Sequence, residues 1–208
     1  MSSSDNAWEE IFRRDGRVFQ EPAPVVVEFA ARLVERGCLR VLDLGCGNGR
    51  HVVYLARQGF GVCGMDSART ALRLTRQWLD EEDLSASLVL ADMRHPLPFR
   101  DAAFDALVST QVIHHSMRTT VQATAREIER VLRHGGLALV TVPARTDPED
   151  ECVEIEPGTF VPQSGSEKGL PHHILAPDEL CALFPQFSVV DLSVRGDVVI
   201  AMVGSQRP

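Results

Sequence analysis

Lysine is nearly missing from this sequence. Of its 21 basic residues only Lys168 is a lysine, and the arginines lie scattered among 29 acids, for a net charge of −8. A protein built to hold a polyanion concentrates positive charge in a stripe or patch. No such stripe exists here, which argues against nucleic acid as a main partner. Long apolar runs are also missing, since none approaches the ~18 residues that a membrane helix needs. The five cysteines (Cys38, Cys46, Cys63, Cys152 and Cys181) include no C-x-x-C pair and are odd in number. They read as reduced thiols of a cytoplasmic protein rather than as a disulfide framework. The opening MSSSDNAWEEIFRRD is polar and charged, so no secretory leader is expected. There is no internal repeat. There is no G-x-x-x-x-G-K-[ST] either, which excludes a phosphate-loop nucleotidase.

What is present is a regular alternation within 208 residues of ordinary globular composition, 44% hydrophobic and 24% charged. PVVVEFAARLVERG reads as an amphipathic helix closed by Gly37. RVLDLG is a short buried strand, and RHVVYLARQG is a helix ending in glycine. GVCGMD is a second strand, followed by a helix over SARTALRLTRQWLDEE with Ser67 at its N-cap. SLVLAD and DALVST are the third and fourth strands. TTVQATAREIERVLRHGG is a long helix with a glycine stop, and LALVTVP is the fifth strand. After the short helix APDELCALF come FSVVDLSV and VVIAMVG with no helix between them, which predicts an antiparallel hairpin. The expected fold is therefore α/β, Rossmann-like and doubly wound: a mostly parallel seven-stranded sheet ending in a C-terminal antiparallel hairpin. One domain over 1–208 is expected, with 1–24 as an N-terminal cap segment and 144–176 as an insertion.

That insertion, rich in Pro, Gly and acids, is long for a connection within a compact domain. It leaves the carboxyl edge of a strand, where ligands bind in such folds, and it retains Val153, Ile155, Phe160, Val161, Leu170 and Ile174. A lid over a substrate pocket is the functional reading, and a surface loop the plain one. Glu149, Asp150 and Glu151 read as a solvated turn.

The chemistry begins at VLDLGCGNGR. A strand that delivers glycines to a helix start puts bare backbone and unsatisfied N–H groups beside a ligand. A dinucleotide fingerprint needs a third glycine at position 50, which is Arg50; here it comes one residue early, as Gly49. Asp43 lies in the strand before the turn. Asp66 ends the second strand, placed to accept from both hydroxyls of a ribose. Asp92-Met93 ends the third, where an acid can accept from an adenine amino group beside an apolar side chain. Ser109-Thr110-Gln111 ends the fourth.

With these four motifs in order, the sequence resembles the class I S-adenosylmethionine-dependent methyltransferases over about 25–203. It is most similar to the group containing the ubiquinone/menaquinone-biosynthesis and tellurite-resistance enzymes. The resemblance implies S-adenosyl-L-methionine as cofactor. Asp43, Gly45, Gly47 and Gly49 would surround its methionine part, with Cys46 as small filler and Asn48 in the same loop. Asp66, with Ser67, would hold ribose; Asp92 and Met93 would hold adenine; Thr110, Gln111 and Val112 would pass under the cofactor. The reaction implied is in-line methyl transfer to a small-molecule acceptor in a lid-covered pocket. Alternatives are a tRNA-wobble-type RNA methyltransferase, which shares VIHH and RVLRHGG, and a catalytically silent cofactor-binding partner protein. A nicotinamide dehydrogenase would have to tolerate Arg50.

Two histidine doublets would supply any general base: His114-His115 past the fourth strand, and His172-His173 in the insertion. The candidates are His115, His173 and His114. Adjacent residues in extended chain point opposite ways, so at most one of each pair is expected to face the pocket. The four histidines with Glu154, Glu156 or a cysteine fit no compact ligand spacing, so no metal is expected. Trp8, Phe12 and Phe19 read either as an N-terminal helix over the pocket or as core. The acceptor is expected to be a small molecule, with no membrane span and a monomer or homodimer.

Overall fold

The computed structural model describes residues 7–145 and 151–205. Glu149 and Asp150, and the first six residues of the expected cap segment, lie outside them. The chain opens with α1 (Ala7–Asp15) and α2 (Pro24–Glu35), then β1 (Arg40–Leu44), α3 (Arg50–Arg57), β2 (Gly61–Asp66) and α4 (Arg69–Glu81). β3 (Ser87–Leu90), β4 (Phe104–Thr110), α5 (Arg118–Val131) and β5 (Leu132–Pro143) follow. β6 (Cys152–Glu156), β7 (Thr159–Pro162) and β8 (His172–His173) precede α6 (Pro177–Ala182), β9 (Phe187–Arg195) and β10 (Val198–Ser205).

The main sheet has seven strands in the order β3-β2-β1-β4-β5-β10-β9. The first five run parallel, while β10 is antiparallel to both β5 and β9. All seven strands lie where the sequence pattern puts them. The order reverses between β1 and β4, and the crevice above that point is where such sheets take ligands. β9 and β10 are joined through Gly196 and Asp197, with Gly196 at φ +60°, the left-handed backbone that a tight hairpin needs.

Strand residues alternate between two cores. Leu42, Leu44, Leu107, Ala138 and Val140 face Val121, Ala125 and Ile128 of α5 and Leu180 of α6. Val41, Val62, Ala106, Val108 and Leu139 face Phe29 and Leu33 of α2, Val53 of α3 and Leu79 of α4. α2 shows how sequence dictates this packing. Pro24 starts it, Val26, Phe29, Ala30 and Leu33 are its buried residues, and that i, i+3, i+4, i+7 spacing makes one apolar stripe. Burying each large side chain of the stripe contributes ~1.5–3 kcal/mol.

Three local expectations differ. Ser67 does not cap α4; the N-cap is Ala68, which has no side-chain acceptor. The Asp66 carboxylate does the work instead, accepting from Ala68 N at 2.8 Å. α5 stops at Val131, ahead of the glycine pair, and the chain from Leu132 already pairs with Phe104 of β4. Gly136 then has Asp105 O and Arg133 O within 3.0 Å of where a Cβ would stand, so this turn serves strand approach rather than a helix stop. Last, the 144–176 segment is not loop alone. β6, β7 and β8 form a separate three-stranded antiparallel sheet. It is tied to the main body by His173 N donating to His114 O at 2.8 Å and by Arg118 N donating to Glu156 Oε1 at 2.6 Å.

Candidate cofactor and substrate site

A cavity of about 1460 Å³ opens at the carboxyl ends of β1, β2, β3 and β4. Its floor is the Gly45–Asn48 loop; Asp66, Ser67, Asp92 and Met93 form one side, and Thr110, Gln111 and Val112 another. Eleven of the thirteen residues singled out in the sequence for the cofactor therefore share one cavity. The two that do not line it are Asp43, buried in β1 beneath the loop, and Gly49, which turns towards Thr75.

The loop's shape follows from its glycines. Gly45, Gly47 and Gly49 have φ of +72°, +54° and +90°, backbone that other residues adopt only with strain. Space is short as well. A Cβ on Gly45 would stand 2.4 Å from Val112 Cγ1, and one on Gly49 would stand 2.5 Å from Thr75 Cγ2. Asp66 holds the loop from β2: Oδ2 accepts from Gly47 N at 2.8 Å while Oδ1 accepts from Ala68 N. Burial pushes its carboxyl up, against the pull of those amides. Asp43 is more extreme. Its Oδ2 has no hydrogen-bond partner among the described residues, and desolvation, only partly offset by Arg50, raises its carboxyl to about 7.

His51 carried no signal in the sequence, yet it is buried at the start of α3. Its Nε2 accepts from Ala23 N at 3.2 Å, which leaves the proton on Nδ1, 3.4 Å from Thr110 Oγ1 and 4.0 Å from Asp43 Oδ1. Burial, then the neighbouring Arg50, lowers its pKa to about 3, so its contact with Asp43 is not an ion pair near neutrality. Gln111 is the one non-glycine residue of the site with positive φ, +58°. Its N–H donates to Thr141 O at 2.9 Å, while its side-chain Nε2 is buried without a partner.

The arginines were also missed. Arg94 grips Asp92, with Nε 2.8 Å from Oδ2 and the backbone N 2.8 Å from Oδ1. The Asp92 carboxylate thus faces a guanidinium; burial would raise its pKa, but the Arg94 bonds outweigh this and lower it. Arg50 lines the cavity with its guanidinium 4.8 Å over the Phe19 ring, a cation–π contact. On the roof α1 contributes Trp8 and Phe12. Glu9 docks that helix on α4, accepting from Thr70 N at 2.9 Å and Thr70 Oγ1 at 2.6 Å.

The histidine doublets behave differently from each other. Residues 113–116 turn rather than extend, so His114 and His115 both line the cavity, with ring centroids 3.9 Å apart. The expectation that only one would face it fails there. In β8 the strand alternation holds: His172 lines the cavity, whereas His173 turns away, its Nδ1 2.7 Å from Thr159 Oγ1. The histidine of the insertion on the cavity wall is His172, not His173. Its centroid lies 5.5 Å from that of His114 and 4.9 Å from that of His115. Glu167 Oε2 is 3.0 Å from His172 Nε2 and 3.8 Å from His115 Nε2. Burial would raise the Glu167 carboxyl, but the two imidazoles beside it hold it well below the usual carboxylate range. Burial lowers the pKa of both His114 and His115. Glu154 and Glu156 lie elsewhere, accepting from Gly158 N and from Arg118 N.

Residues 42–140 match the family model described as "Methyltransferase domain". Over that stretch, just under half of its length, the chain resembles a methyltransferase domain. It is 36% identical over 124 residues to "Methyltransferase GfsG" of Streptomyces halstedii, covering 57% of this chain and 43% of that one. It is 34% identical over 122 residues to the "tRNA (carboxymethyluridine(34)-5-O)-methyltransferase alkbh8" of Xenopus tropicalis, covering 58% of this chain and 18% of that one. The chain thus spans less than half the length of these curated relatives. In three dimensions it is similar to the crystal structure of TehB from Haemophilus influenzae, with a TM-score of 0.70 at 20% identity, over 96% of this chain and 67% of that one. That likeness is one of fold.

Two further relatives, TehB of Haemophilus influenzae and MT3114 of Mycobacterium tuberculosis, are named as probable S-adenosylmethionine-dependent methyltransferases, and the site's own features fit that cofactor. The glycine floor admits close backbone approach and contains no phosphate-gripping lysine. Asp66 accepts from Gly47 N and Ala68 N, with Ser67 N also drawing on it, and the roughly four lone-pair sites of a carboxylate leave room for a hydroxyl. Asp43 Oδ2 is a buried acceptor with no donor among the described residues, below a loop that would carry a positively charged molecule.

Proposed function

We propose that this methyltransferase moves the methyl group of S-adenosylmethionine to a small molecule held in the cavity. The observation that carries this reading is the shared cavity itself: the glycine loop and Asp66 lie on one wall, His115 and His172 on another. The bound sulfonium would supply an activated methyl group and leave as a neutral thioether. The chain's task is then chiefly alignment, worth ~7–11 kcal/mol when two reactants are held in line.

Asp66 would orient the ribose, and Thr110, Gln111 and Val112 would form the surface beneath the nucleoside. Met93 would lie against the adenine, with Asp92 serving that ring only to the extent that Arg94 shares it. Arg50 is the cation on the floor available to a carboxylate. The segment 164–172, with α1, would act as the cover that keeps water from the reacting atoms. For a protonated acceptor His115 is the base we favour, with Glu167 orienting it, as a third group orients the base in other catalytic sites. His114 would shape the wall, and His173 would hold the small sheet through Thr159. We place all of this in one domain, with the insertion and the N-terminal segment as its covers.

The excess of acid and the scattered arginines support a small molecule over RNA. The likeness to a tRNA methyltransferase favours the second reading. Two measurements decide: methyl transfer from labelled cofactor to a panel of small acceptors, and tRNA affinity as a function of salt. Turnover on the panel with no salt-sensitive tRNA binding supports the small-molecule reading. Steep salt-dependent binding with transfer to tRNA overturns it. Cofactor binding with no transfer to either would mark a silent partner protein.

A further inference from the structure

We infer that His114, His115 and His172 form a binding site for one divalent transition-metal ion of the zinc class, with Glu167 as the adjoining carboxylate donor. One nitrogen from each of the three rings lies within 4.8 Å of one from each of the others. Nitrogens around a tetrahedral zinc stand roughly 3.3 Å apart, given bonds of ~2.0–2.1 Å. Small side-chain rotations close that gap. Glu167 Oε2 already sits 3.0 and 3.8 Å from two of the ring nitrogens.

The polar accounting points the same way. His114 is only 3% exposed, yet its Nδ1 has no hydrogen-bond partner among the described residues, and neither does His172 Nε2. The 3.0 Å contact of His172 with Glu167 is therefore close without being aligned as a hydrogen bond. Buried polar atoms are normally paired, and an ion would take the lone pairs left over here. The backbone holds the two halves in register, since His173 N donates to His114 O at 2.8 Å. The donor set is imidazole and carboxylate with no thiolate. That favours zinc, cobalt, nickel or iron over the oxygen-seeking magnesium and calcium. All four residues line the cavity, so the ion would keep a face towards whatever occupies it.

The site does not rest on the methyl-transfer reading. The base role proposed for His115 applies to the metal-free chain, because a nitrogen that binds the ion has no lone pair for a proton. The test is a titration of the tag-free, chelator-treated full chain with cobalt(II), without cofactor, followed by visible absorption and then by displacement with zinc. We expect one equivalent of cobalt per chain. His172→Ala should weaken uptake by more than about 100-fold and Glu167→Gln by about 10–100-fold, both with unchanged far-UV circular dichroism. His134→Ala, outside the cavity, should change nothing. Because His172 is only partly buried, His172→Gln serves if the alanine variant is unstable. No uptake at one equivalent, or uptake indifferent to both His172 variants, overturns the site. A chain that fails to bind cofactor yet takes up cobalt leaves it standing.

Discussion

Val112 lies so close to Gly45 that a methyl group on the glycine would stand 2.4 Å from Cγ1 and 2.5 Å from Cγ2 of the valine. The end of β4 and the first glycine of the β1 loop are thus fitted to one another. Gly45→Ala adds a clash to a φ of +72°, and overpacking and left-handed backbone each cost about 1–3 kcal/mol. We expect roughly 2–4 kcal/mol lost in urea unfolding. Adding Val112→Ala should return the packing share of that loss, as a double-mutant cycle would show. A loss below about 0.5 kcal/mol would mean that the contact is not tight.

Asp66 joins the loop to the start of α4 through its two backbone bonds, and on the proposed reading it also holds ribose. Charge-assisted hydrogen bonds contribute about 1.5–3 kcal/mol each. Asp66→Ala should therefore weaken binding of S-adenosylhomocysteine by about 100-fold or more in calorimetry. Wild-type affinity in that variant would remove Asp66 from the site.

His115→Ala should lower turnover by about 10²-fold or more and leave cofactor affinity within about twofold. Equal loss of both would make the residue cofactor-facing. Burial lowers the His115 pKa, with Glu167 opposing part of the fall. A base with a lowered pKa stays unprotonated further into acid, so the acid limb of kcat should lie below the ordinary histidine value of ~6.5. An acid limb above that value would contradict the burial seen here.

Asp43 makes stability depend on pH in an unusual direction. Its folded pKa is raised to about 7, against ~3.9 in an unfolded chain. Below ~3.9 both states hold the proton and there is no penalty. From there to about 7 only the unfolded chain releases it, so stability falls as pH rises, and above about 7 the loss is complete. Asp43→Asn should gain on the wild type by a few kcal/mol at most between pH 5 and pH 8, measured from urea midpoints. Parallel pH profiles for the two proteins would show that Asp43 ionises freely.

The fold was readable because its signals are local. The β-rich runs are bounded by glycine, proline or polar residues, each helix carries an apolar stripe, and the last two strands lack a helix between them. The cavity wall that we assign to the cofactor was readable for the same reason, since it is built from consecutive residues at strand ends. What escaped was built across the chain. His51 reaches Ala23 and Thr110, and the β6–β8 sheet depends on pairings among residues that read as a Pro- and Gly-rich connection. The choice of His172 over His173 needed the strand's register, and the pairing of His114 with His115 needed a turn that composition does not announce.

The ring of Phe12 rests against the glycine floor, with Cζ 3.1 Å from the point where a Gly47 Cβ would be. On the proposed reading a cofactor seated on that floor would lie beneath α1, and were its exchange to require that helix to move, the grip of Glu9 on Thr70 would have to break. Replacement of used by fresh donor would then be metered by the opening of a nine-residue helix, a motion of microseconds to milliseconds, rather than by diffusion to an open crevice.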